Sequence, residues 1–165
     1  MIFVTLGSQK FQFNRLLQEI DRLIETGEIQ QTVYAQIGCS DYLPKHYEYQ
    51  AFMDRDEYKR FEESADIIIT HGGTGSIISA VKKGRKVIAV PRLKKYGEHV
   101  DDHQIQLIRE FRRQNLICGL NGVSGLSDGL KYVESHTFDS YQGNTQAIID
   151  SIDTFITSSV VHHER

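Results

Sequence analysis

Between residues 66 and 90 the sequence spells a strand, a glycine-rich turn, a helix and a second strand with almost no residue to spare. Asp66 leads into Ile67, Ile68, Ile69 and Thr70, and His71-Gly72-Gly73-Thr74-Gly75-Ser76 follows at once. Ile77, Ile78, Ala80 and Val81 then recur at helical spacing. Lys82, Lys83 and Gly84 close that helix, cations and a glycine standing where the helix dipole and the C-cap favour them. Residues 87–90 form the next apolar run, stopped by Pro91. Short apolar runs without polar alternation are the mark of strands buried on both faces, so this βαβ unit commits the chain to an α/β fold with a mostly parallel sheet.

The remaining sequence extends the same alternation. Residues 2–6 read as a first strand closed by Gly7 and Ser8. Phe13, Leu16, Leu17, Ile20, Leu23 and Ile24 mark a helix, with Asn14 as the expected cap and Gly27 as its end. Residues 32–37 and 47–53 read as strands, and Asp54 with Glu57 as a capping box for a helix through Phe61 and Ala65. A polar loop over 92–100 leads to a helix carrying Ile105, Ile108 and Phe111, then a strand over 116–120. Residues 121–129 read as loop or a short helix entry. Ile148, Ile152, Phe155 and Ile156 predict a last amphipathic helix, and 157–165 a frayed tail. No repeat or linker divides the 165 residues, which predicts one Rossmann-like domain, a parallel sheet with helices on both faces.

Composition removes several classes of function. Lys plus Arg number 19 against 22 Asp plus Glu, a net charge of −3, so nothing marks a nucleic-acid binder. The longest apolar runs fall far short of the roughly 20 residues that span a bilayer. Met1 enters a strand directly, without the basic region of a secretory signal, and Cys39 and Cys118 form no CxxC pair. These features predict a cytosolic chain with unpaired thiols.

In a parallel sheet, ligands gather at the carboxyl ends of the strands, which directs attention to three turns. The turn from His71 to Ser76 combines three glycines and two hydroxyls with a helix N-terminus, and would accept a phosphate on its backbone amides. A tight turn that merely needs glycine is the alternative. The pattern is neither GxxxxGK followed by Ser or Thr nor GxGxxG. Gly7-Ser8-Gln9 is the second turn, beside the first if the two strands are close. The third is the segment 96–104, in which His99 and His103 stand four apart next to Asp101 and Asp102. Three readings stay open there: a metal pair, a helix cap from either aspartate, and hydrogen bonding of sugar hydroxyls by Glu98, Asp102, His103 and Gln104. Arg92, Lys94 and Lys95 read as a solvated loop face, with pairing to a diphosphate or an anionic lipid head group as the alternative. Glu57, Glu62, Glu63, Lys82, Lys83, Arg85 and Lys86 read as helix surface. Ser8 and Ser76 do not stand in GxSxG, so neither is a nucleophile candidate.

The amino-terminal IFVTLGSQ, the following FNRLL, and the run THGGTGSIISAVKKGRKVIAVPRLKKYGEHVDDHQ over 70–104 together resemble the donor-binding half of GT-B glycosyltransferases of family 28. The closest resemblance is to the soluble subunit of two-chain transferases that act on lipid-linked sugars, in capsule, exopolysaccharide and dolichol-linked glycan synthesis. The resemblance implies that the loop of Gly73, Thr74, Gly75 and Ser76 holds the diphosphate of a UDP-sugar and that Gly7 and Ser8 close the same pocket, with His71 counted in this diphosphate site. It places His103 and Gln104 towards the donor sugar, which favours the sugar-binding reading of Glu98, Asp102, His103 and Gln104. It also implies an inverting transfer of a hexose to a polyprenyl-diphosphate-linked saccharide, without a cofactor or metal. The general base is expected on a membrane-anchored partner subunit, with His103 as the candidate in this chain. The chain would then be cytoplasmic and held at the inner membrane face by that partner, with no nucleic acid involved. Many GT-B enzymes carry a ribose-binding glutamate eight positions after the histidine, where this chain has Ser79. A noncatalytic module that stimulates a partner transferase is the alternative reading.

Overall fold

Within each apolar run, alternate side chains feed opposite sides of the sheet, and this period of two builds two cores rather than one. A computed structural model describes residues 1–141 and 143. Its elements are β1 (Ile2–Thr5), α1 (Asn14–Glu25), β2 (Val33–Gln36), β3 (Glu48–Gln50), α2 (Arg55–Ser64) and β4 (Ile67–His71). There follow α3 (Thr74–Lys82), β5 (Lys86–Val90), α4 (His103–Arg113), β6 (Cys118–Gly119) and α5 (Leu126–Ser135). The six strands form one parallel sheet in the order β3-β2-β1-β4-β5-β6, and β1 lies between β2 and β4 in register from Ile2 beside Ile67 to Thr5 beside Thr70.

Ile2, Val4, Leu6, Ile69, Ile88 and Val90 face one side, against Leu16, Leu17, Ile20 and Leu23 of α1 and Leu126, Leu130 and Val133 of α5. Phe3, Ile68, Val87 and Ala89 face the other, against Ile77, Ala80 and Val81 of α3 and Ile108 of α4. Burial of each such aliphatic side chain contributes about 1.5–3 kcal/mol, so the amphipathic stripe of α1, rather than its short-range propensity, fixes that helix. The result is the three-layer Rossmann-like architecture that the alternation predicts.

Local signals behave unevenly. Asp54 caps α2 as expected, its side chain accepting from the Glu57 amide at 2.8 Å, but Glu57 turns away to accept from Gln50 instead of completing the box. Asn14 does not cap α1. Its amide donates to Asp41 and its carbonyl accepts from the Tyr42 amide, tying the helix start to a loop 28 residues on. The strand expected over 116–120 shortens to two residues, although the Leu120 amide still bonds the Ala89 carbonyl. Of the two readings of 121–129, loop or helix entry, the structure has the second: a 3-10 turn over Val123–Gly125 leads into α5 at Leu126. Leu126, Leu130 and Val133 lie on one face of that helix, and Gly129 lets it settle on Leu120, where an added Cβ would stand 3.3 Å away. Glu62 and Lys83 are not open helix surface either. Glu62 is buried between α2 and α3, where it accepts from Ser79 and pairs with Lys83. The last expected helix lies outside the described residues. Among the described residues no helix is long and apolar enough to cross a membrane.

Candidate functional site

The chain leaves β1 outward to β2 and β3, then returns to β4 on the other side of β1. The direction of winding therefore reverses between β1 and β4, and the turns that follow these two strands diverge to open a crevice at their carboxyl ends. Gly7 begins the first turn at φ +70°, a conformation that other L residues resist, and Ser8 beyond it is exposed.

His71 ends β4 with its ring buried between two glycines. A Cβ on Gly7 would stand 2.7 Å from His71 Cε1, and one on Gly73 2.4 Å from His71 Nε2. Both glycines are therefore there to admit the imidazole. Burial pushes this imidazole down to about 4; the adjacent Arg92 guanidinium adds to the effect and the Thr5 carbonyl opposes it, so the ring is neutral near pH 7. Helix α3 starts at once, with Gly73 at its N-cap and no side chain capping it. The amides of Thr74, Gly75 and Ser76 have no acceptor among the described residues, the first helical bond being Ile77 to Gly73. Thr74 and Gly75 are exposed, and nothing lies within 4 Å of a Cβ built on Gly75. Ser76 is half-buried, with its hydroxyl beside the Tyr58 phenol of α2.

The third segment differs most from its sequence reading. Gln104 is buried in the first turn of α4, and its Oε1 accepts from both the Gly72 amide (3.3 Å) and the Arg92 amide (3.0 Å). Gly72 permits this approach, since a Cβ there would sit 2.6 Å from the Gln104 Cβ. Glu98, expected to face a sugar, is fully buried; Arg15 grips it through two bonds of 2.7 Å and the Leu93 amide through one of 2.9 Å. Its carboxylate is a structural anchor for the loop after β5. Asp102 accepts from the Lys94 amide and does not cap α4 with its side chain, whereas Asp101 accepts from the His103 amide. His103 itself is exposed at the start of α4.

His99 pairs with Asp101 and lies against Phe11, and among the described residues no group of three or more His, Cys, Asp or Glu side chains could hold a metal ion. Lys94 and Lys95 are exposed, as a solvated loop requires. Arg92 is not: its side chain is fully buried, its Nη2 donating to the carbonyls of Leu6 (2.9 Å) and Phe11 (3.0 Å). Reading by residue type missed it, because an arginine after Pro91 looks like loop surface. Its place two residues past the end of a strand, as for Gly7, was the available signal. Cavities of about 520 Å³ along β6 and about 600 Å³ at the amino ends of β5 and β6 lie elsewhere.

An uncapped helix start beside a buried histidine at a glycine turn, at the reversal of a parallel sheet, is a Rossmann-like ligand-binding arrangement, and its structural neighbours make it a GT-B half-domain. Solved structures of that architecture superpose on it. SnogD of Streptomyces nogalater, a glycosyltransferase, matches with a TM-score of 0.58 and 17% identity over 81% of this chain and 34% of its own. MurG of Acinetobacter baumannii gives 0.57 and 15% over 81% and 41%. The family model of the glycosyltransferase family 28 C-terminal domain matches residues 1–116, and the chain belongs to that family. Among curated relatives, the UDP-N-acetylglucosamine transferase subunit ALG13 of Yarrowia lipolytica is 31% identical over 98 residues, 56% of this chain and 48% of the relative. The Homo sapiens protein of that name is 25% identical over 122 residues, 68% of this chain and 10% of its own length. The chain thus spans about half of the first relative and a tenth of the second.

Proposed function

We propose that this chain is the donor-binding half of a two-part glycosyltransferase, moving a hexose from a UDP-sugar to a hydroxyl of a polyprenyl-diphosphate-linked saccharide in cell-surface polysaccharide synthesis. The observation that carries the reading is the open N-terminus of α3, whose unpaired amides and exposed Gly75 face the crevice between β1 and β4. As the glycosidic bond breaks, the leaving UDP gathers negative charge. Fixed amides and the helix dipole stabilise that charge without reorganising. Exposed Thr74 adds a hydroxyl donor, and to exposed His103 and Asp102 we assign contact with the sugar. Family membership and the names of the relatives support a UDP-sugar, N-acetylglucosamine being the sugar in those names.

We assign the acceptor and the general base to a membrane-anchored partner that holds this chain at the cytoplasmic face, a reading supported by the relatives' description as a transferase subunit. Exposed Phe52, Tyr96 and Val100, in the loops that follow β3 and β5, give that rim apolar contacts to offer. Calorimetry with UDP tests the donor site. The unchanged protein should bind, and Gly75→Asp, which puts a carboxylate against the phosphates, should not; equal binding refutes the assignment. Copurification with a membrane-bound transferase subunit tests the second half of the reading, and full activity of the isolated chain in detergent-free buffer contradicts it.

A further inference from the structure

At position 92 both turns of the crevice are tied to a single residue, one of them through Gln104. Its backbone amide shares Gln104 Oε1 with the Gly72 amide, which fixes the turn after β4. Its guanidinium holds the carbonyls of Leu6 and Phe11, which bracket the turn after β1. The Leu6 carbonyl and the Gly7 amide belong to the same peptide group, so a charged donor on the carbonyl polarises the Gly7 N–H and strengthens it as a donor.

The charge inventory is equally uneven. The Arg92 side chain is fully buried, yet its Nε and Nη1 have no hydrogen-bond partner among the described residues. The neighbouring carboxylate is Glu98, and both of its oxygens are already engaged by Arg15. Two guanidiniums therefore face one buried carboxylate, while His71 alongside is neutral. Burial lowers Arg92 to about 10, against the pull of Glu98, so the group remains a cation near pH 7. A buried cation without a matching anion is costly to keep, and the missing anion would gain correspondingly from arriving.

We propose that Arg92 is a positioning residue for a nucleotide diphosphate: it sets the spacing of the two turns and supplies, from beneath the first, the positive charge that the diphosphate completes. The proposal rests on the donor-site reading above and adds to it where the charge comes from. Arg92 does not touch the ligand; it acts through the Leu6–Gly7 peptide and through its field.

The test compares UDP with uridine, which lacks the phosphates, by calorimetry on the unchanged chain and on Arg92→Met. A purely structural role would weaken both ligands alike. The expected result is a loss of roughly tenfold or more for UDP with uridine held within about twofold, as for removal of one buried charge-assisted contact. Should the Met variant not fold, Arg92→Gln, neutral but able to donate to one carbonyl, is judged by the same ratio. A UDP-to-uridine preference equal to that of the unchanged chain overturns the role of Arg92, as does a parallel loss of both ligands. If the unchanged chain itself does not prefer UDP, the donor-site reading fails and takes this proposal with it.

Discussion

Replacing Gly73 by alanine isolates the seat of His71 from every other feature of the crevice. Gly73 has φ −76°, which alanine adopts without strain, so any effect is steric. The new Cβ would stand 2.4 Å from His71 Nε2 and 2.9 Å from Cε1, about 1 Å inside ordinary contact. The ring cannot retreat, because Gly7 already closes its other side. Overpacking of this kind costs about 1–3 kcal/mol, and the reduced entropy of the unfolded chain returns about 0.4–1 kcal/mol. The central values leave a net loss of about 1 kcal/mol, which for a chain of this length lowers Tm by roughly 2–4 °C. Gly75→Ala is the control. Nothing lies within 4 Å of its Cβ and it sits inside α3, so stability should rise by about 0.5–1 kcal/mol. Both variants should bind UDP more weakly, one through a displaced ring and the other through a methyl in the ligand's path. Paired thermal unfolding and calorimetry read both quantities. A Gly73→Ala protein as stable as the parent would show that His71 is not wedged, and the geometry argued for the crevice would fall.

Three further outcomes follow from buried charge. Stability should decline by roughly 3 kcal/mol between pH 6.5 and 4 on account of His71, because the unfolded chain takes up a proton there that the native ring refuses. Denaturant titrations of His71→Gln should lack that part of the slope; parallel curves would contradict the burial argument. Glu98→Gln removes the one carboxylate between Arg15 and Arg92 and should cost about 3–5 kcal/mol in urea unfolding. A loss under 1 kcal/mol, the size expected of a surface pair, would mean that the anchor is not needed. Lys83→Met strands buried Glu62, whose Oε1 already lacks a partner, and should lower stability by about 3 kcal/mol, with Glu62→Gln in the same chain restoring much of it. Additive losses would argue against the pair.

The architecture was legible because parallel strands buried on both faces must be unbroken apolar runs, and Ile67 to Ile69 and Val87 to Val90 have no other use. Helix ends marked by glycine, as at Gly27 and Gly84, follow from backbone chemistry and needed no tertiary information. The failures share one cause. Asn14, Glu62, Arg92 and Glu98 are polar residues whose partners come from segments far along the chain, Arg15 lying 83 positions from Glu98. Residue type predicts solvation for such groups, and only the packing shows that each is buried and bonded. The same cause left loop and helix entry undecided over 121–129, since Gly129 fits α5 only where Leu120 lies against it. At the crevice, the sequence could mark the glycine turns but not the arginine beneath them.

The central position of β1 carries a consequence for synthesis. Its second neighbour, β4, begins at residue 67, so a nascent chain that has left the ribosome only as far as β3 exposes one whole edge of its innermost strand. Pairing across such a distance is slow to establish, and the half-built sheet is a natural client for chaperones. Translation arrested before and after β4 emerges should therefore yield nascent chains that differ sharply in resistance to protease.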